Sequence, residues 1–136
     1  MRKGRLSLTT VVILFLLLPT WVRAESPSDK YEQAKAMSQS DGVAPGGAAY
    51  LTSIEKDIGA LINKAFKQCL KRSMFSRPKL FNMVLGLDAN GAIALVAVSE
   101  EQEASQCTRE HLEGKTLPRP PFAPFHILVD VVPKRV

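Results

Sequence analysis

From Ile54 onward the apolar positions recur at helical spacing. Ile54, Ile58, Leu61, Ile62, Ala65, Phe66, Cys69 and Leu70 form one stripe, with Glu55, Lys56, Lys64, Lys67 and Lys71 largely off it. This spacing predicts an amphipathic helix over about 53–72. Thr52 and Glu55 stand as a capping box at its start, and Lys71 and Arg72 suit its negative end. Pro78 lies beyond, in a connection that it keeps from becoming helix. At Leu80 the period shortens to two: Phe81, Met83, Leu85 and Leu87 fall on one face of a strand. Asp88-Ala89-Asn90-Gly91 supplies turn chemistry, and residues 92–98 (AIALVAV) supply the partner strand of a β-hairpin. Ser99 is placed to cap a second helix, with Glu100 and Glu101 in its first turn, Gln102 closing a capping box and Gly114 stopping it. The stripe of that helix is thin: Ala104, Cys107, Thr108 and His111, with Leu112 beside them. Leu117-Pro118-Arg119-Pro120-Pro121 reads as a stiff extended connector. It leads to a third strand over 125–132, where Phe125, Ile127, Val129 and Val131 face one way and His126, Leu128, Asp130 and Val132 the other. The order α-β-β-α-β predicts a two-layer α+β domain over residues 50–136, a three-stranded antiparallel sheet with two helices on one face.

The N-terminal part follows a different pattern. Arg2, Lys3 and Arg5 precede the apolar run Val11–Leu18, Pro19 breaks that run, and Val22-Arg23-Ala24 resembles a cleavage site. Residues 1–24 therefore read as a secretory signal peptide cleaved near Ala24. The alternative is an uncleaved anchor, for which about 20 apolar residues are needed. The stretch Leu6–Val22 reaches 17 only by counting Ser7, Thr9, Thr10, Pro19 and Thr20. Residues 25–49, rich in Ser, Gly, Pro, Ala and charge, read as a flexible linker, with at most a transient helical turn over 31–37.

Charge then removes one class of function. The chain carries 18 Lys and Arg against 13 Asp and Glu, a net of +5. Four of the basic residues (Arg2, Lys3, Arg5, Arg23) lie in the first 24, where there is no acid, so the remaining 112 residues hold 14 basic against 13 acidic groups. The basicity belongs to the targeting segment, and nucleic acid is not an expected partner. The remaining length suffices for one small core.

Two cysteines in an exported chain, both on inward-facing helix positions, favour one disulfide, Cys69–Cys107. Free, small apolar thiols are the alternative. A loop spanning 38 positions is worth about 4 kcal/mol on the chain-entropy account. No catalytic, cofactor or metal signature accompanies them. His126 and Asp130 share a strand face but are about 13 Å apart along it, too far for a dyad. His111 reads as a partly buried, hydrogen-bonded residue, and Glu100, Glu101 and Glu103 as a solvated helix start. No phosphate-cradling glycine loop, nucleophile elbow or metal-spaced pair is present, and no small-molecule substrate is evident. The chain reads as non-enzymatic.

With Cys69 near the end of one helix, Arg77-Pro78 in the connection, a hairpin around Asp88-Ala89-Asn90-Gly91, Cys107 on the next helix, a proline corner at 117–121 and a strand from Phe125, about 85 residues resemble the C-terminal domain shared by TonB and TolA. The resemblance is closer to the AgmX/PglI-type C-terminal domains. It implies a periplasmic binding module whose final strand stays open to a strand of another chain. Carried onto this sequence, the partner-binding edge is Phe125, His126, Leu128, Asp130 and Val132, and the partner is another envelope protein, docked by strand addition or on the sheet face. Membrane contact is expected only if the N-terminal segment stays uncleaved. The alternative is a stand-alone accessory factor of the envelope that docks through its first helix.

Overall fold

A computed structural model describes residues 24–72 and 79–132 of the chain. The expected signal peptide, the connection around Pro78 and the basic residues Lys134 and Arg135 lie outside these residues. The element order is α1 (Pro27–Val43), α2 (Gly47–Arg72), β1 (Phe81–Leu87), β2 (Ile93–Val98), α3 (Glu103–Leu112) and β3 (Phe125–Val131). The fold is α+β, with an antiparallel sheet in the order β2-β1-β3. The fully buried face of the sheet carries Phe81, Met83, Leu85 and Leu87 from β1, with Val96 and Val98 from β2 and Phe125, Ile127 and Val131 from β3. Against it pack Tyr50, Ile54, Ile62, Ala65 and Phe66 of α2, and Ala104 and Leu112 of α3. The two expected helices thus share one face of the sheet.

The segment expected to be a flexible linker is a 17-residue helix, α1. Its start is well defined: the Ser26 hydroxyl accepts the amide of Asp29, the Asp29 carboxylate accepts the amide of Ser26, and Pro27 occupies the first turn. Tyr31 and Ala34 of α1 bury against Val84 and Ala97, the opposite face of the sheet. The molecule therefore has three layers, with helix on both faces. Residues 44–47, expected within the flexible linker, make a tight corner between α1 and α2. Gly46 has φ +81°, and a Cβ on Gly47 would collide with the carbonyl oxygen of Asp41.

Two helix starts also differ from expectation. Helix α2 begins a turn earlier than the capping box at Thr52 implied, and the Thr52 hydroxyl instead donates to the carbonyl of Ala48, one turn back. Helix α3 begins at Glu103 with Gln102 as its cap and Ser105 as the reciprocal partner. Ser99 stays with the sheet, accepting the amide of Asn82. The hairpin turn is as expected: Asp88 Oδ1 accepts the amides of Asn90 and Ala92, and Gly91 takes φ +84°. Gly114, at φ +78°, ends α3.

Candidate functional site

The site begins with the hydrogen-bond parity of β3. Its register on β1 runs without a shift from Phe81 opposite Val131 to Leu87 opposite Phe125. The amide of His126 donates to Asp41 Oδ2 at 2.8 Å, so it does not point at β1. Peptide groups alternate in direction along an antiparallel strand. Those of Leu128 and Asp130 therefore also point away from the sheet, while Phe125, Ile127, Val129 and Val131 pair with β1. Among the described residues no strand pairs with the outer edge of β3.

The five residues expected to form the partner edge separate into two groups. Phe125 is fully buried, its ring 5.0 Å from that of Tyr50 in an edge-to-face arrangement and 5.1 Å from that of Phe122. It is a core residue. His126 is also buried, because α1 covers the face that was expected to be free of helices. Its Nδ1 lies 2.8 Å from the same Asp41 oxygen that holds its amide. Its ring sits beside Gly86, its register partner, where a Cβ would be in ordinary contact with the ring and would crowd Leu95. Leu128, Asp130 and Val132 are exposed, Val132 at 63% and Leu128 at 39%. The edge is closed by α1 at His126 and open from Leu128 onward.

A groove of about 420 Å³ runs along this open stretch. One wall is α2, through Leu51, Thr52, Glu55 and Ile58; the other is β3 from Ile127 to Asp130. Leu51 and Ile58 of α2 pack against the core yet are only half-buried. They line the groove beside β3, which stands at the edge of the described sheet. Both charged residues lining the groove, Glu55 and Asp130, are acidic.

The other edge differs. The start of β2 is bridged by residues 114–117: Ala92 pairs with Thr116, the amide of Ile93 donates to Lys115 O, and the amide of Leu117 to Gly91 O. A depression of about 450 Å³ beside β2 is flanked by Arg109 and Glu101, which satisfy each other in a two-pronged ion pair with the shorter contact at 3.0 Å. This edge is partly sealed.

The disulfide is formed between Cys69 and Cys107 and ties the end of α2 to α3. His111 is half-buried on the same helix as Cys107. Burial pushes the Tyr50 hydroxyl above the ordinary tyrosine range, and that hydroxyl donates to the carbonyl of Pro118, fixing the proline connector onto α2. Sequence reading missed Asp41, which lies 85 positions from His126. The capping box at Ser26 and Asp29 was a local signal for the start of the helix that carries Asp41 in its last turn, but nothing local pointed to His126. No described helix is long and apolar enough to cross a membrane. The chain was compared with family models, curated proteins and solved structures, and no match was found in any of the three.

Proposed function

We propose that this protein is a non-enzymatic interaction module of an oxidising extracytoplasmic compartment, the periplasm, and that it takes up an extended strand of an envelope protein at the open edge of β3. The observation that carries this reading is the groove that α2 and β3 line together, with half-buried apolar side chains on its helical wall. Leu51 and Ile58 stand beside the outer edge of β3, with which no described strand pairs. An added strand would receive main-chain hydrogen bonds from Leu128 and Asp130 and bury every second side chain against α2. Acidic groups at Glu55 and Asp130 favour a strand that carries lysine or arginine among its apolar residues. The disulfide supports an oxidising compartment. The α-β-β-α-β order within residues 50–132 agrees with the expected likeness to TonB- and TolA-type C-terminal domains, with α1 as an addition.

The groove also bears on the alternative of docking through the first long helix, since one of its walls is α2. The two readings separate at Leu128. Its amide points off the sheet, so Leu128→Pro removes an outward donor and leaves the bonds to β1 in place. Peptides selected from a random displayed library on the folded chain should alternate apolar residues and carry basic ones. Their binding should be lost in Leu128→Pro and weakened in Glu55→Lys. Peptides that bind Leu128→Pro as well as the parent chain would favour helix docking and overturn strand addition.

A further inference from the structure

The disulfide has a third neighbour. Cys69 ends the buried stripe of α2, and Cys107 and His111 stand four residues apart on one face of α3. The two sulfurs and a ring nitrogen of His111 lie within 4.8 Å of one another. Among the described residues no other trio of His, Cys, Asp or Glu converges in this way. Cys69 is buried, whereas Cys107 and His111 are half-buried, so the cluster opens to solvent on one side.

We propose that reduction of Cys69–Cys107 uncovers a zinc site built from the two thiolates and the His111 imidazole, with water in the fourth position. A tetrahedral zinc ion takes sulfur at about 2.3 Å and nitrogen at about 2.0 Å, which sets its two sulfurs about 3.8 Å apart. Disulfide sulfurs are about 2.0 Å apart, so the opening required is within reach of side-chain rotation at the half-exposed Cys107. The donor set contains sulfur and nitrogen and no oxygen, which selects zinc over calcium or magnesium. The Thr108 hydroxyl donates to the carbonyl of Ala104 at 2.7 Å and lies 3.9 Å from Cys69 Sγ, so its proton would have to turn from that carbonyl to reach the thiolate.

The chemistry balances with a dithiol donor of the oxidoreductase class. Two electrons and two protons pass to the S–S bond, giving two thiols and leaving the donor as its own disulfide. Zinc binding then releases the two thiol protons, while the neutral ring nitrogen donates its lone pair. In the oxidised chain the sulfurs are bonded to each other and the site is closed. Zinc affinity is thereby gated by redox state, independently of the β3 edge.

The full chain, purified oxidised, is divided and one half is reduced with a phosphine under argon, water supplying the oxygen that the phosphine takes up. Zinc is titrated against a chromophoric chelator, and cobalt against its thiolate charge-transfer absorption. The reduced chain should bind one zinc and the oxidised chain none in the same range. His111→Ala, which leaves the disulfide intact before reduction, should weaken binding by at least about tenfold and alter the cobalt spectrum. Equal binding by oxidised and reduced chains, equal binding by His111→Ala and the parent, or no binding after reduction would each overturn the proposal. Far-UV circular dichroism of the same samples covers the case in which reduction loosens the fold: zinc that neither restores the helical signal nor depends on His111 counts against the site.

Discussion

Asp41 makes a polar contact across 85 positions of sequence, the longest-range one among the described residues of the site. One of its oxygens accepts both the amide and the Nδ1 of His126, joining the last turn of α1 to β3. Removing the carboxylate strands a buried donor and an almost buried ring, and an unsatisfied buried polar group costs about 1–3 kcal/mol. Asp41→Ala should lower the unfolding free energy by that amount in urea titration, with Asp41→Asn falling between it and the parent. Tyr50 works in the same way at the proline connector. Its folded-state pKa is raised by burial, so its contribution is fully present below the unfolded value of about 10 and is lost as pH rises through the folded value. Tyr50→Phe should cost about 1 kcal/mol at neutral pH, the worth of one hydrogen bond. It should also flatten the decline in stability of the parent above pH 10 or so, seen by repeating the urea titration at alkaline pH.

At the scale of elements, the strands, the hairpin turn and α2 were legible because their apolar periods are strong and unbroken. Helix α1 was not. Its buried side chains are Tyr31, Ala34 and Ser38, one aromatic and two small residues, so the stripe that meets the sheet is hardly apolar. What holds the helix is tertiary: Val84 and Ala97 form a shallow apolar face, and small residues let the helix approach it closely. Local composition cannot signal such a contact. The start of α2 was misplaced for a related reason. Thr52 and Glu55 have capping chemistry, but Gly46 and Gly47 make a corner tight enough for the helix to begin a turn earlier. Ala34 tests the role of α1 directly, being 2% exposed between helix and sheet. Ala34→Glu would bury a charge there and should destabilise the fold by about 3 kcal/mol, at the upper end of ordinary single substitutions. Proteolysis should then cut first within residues 24–43. An unchanged unfolding midpoint would mean that the second face of the sheet does not depend on α1.

At the scale of the molecule, the site was half legible. Alternation along β3 separated Ile127 and Val129 from Leu128 and Asp130, whereas the edge position of the final strand was implied by the resemblance to TonB- and TolA-type domains, and β3 does stand at the edge of the described sheet. Which outward residues remain free could not be read, because α1 decides it: it takes His126 and leaves Leu128, Asp130 and Val132. Phe125 was lost to the core for the opposite reason, its inward face being filled by Tyr50 and Phe122. The same three-layer arrangement explains why the edge can stay open. One helical layer seals most of the outer face, the disulfide clamps the other layer, and the loop at 114–117 closes the start of β2. The stretch of β3 from Leu128 is then main chain at the edge of the described sheet, beside the apolar wall of α2. Amide hydrogen exchange resolved by residue, with and without the selected peptides, is the most direct measurement of this claim. Strand addition predicts that bound peptide slows exchange at Leu128 and Asp130 by at least about tenfold while Ile127 and Val129, already paired to β1, change little. Protection confined to α2, with the amides of Leu128 and Asp130 exchanging as in the free protein, would contradict it.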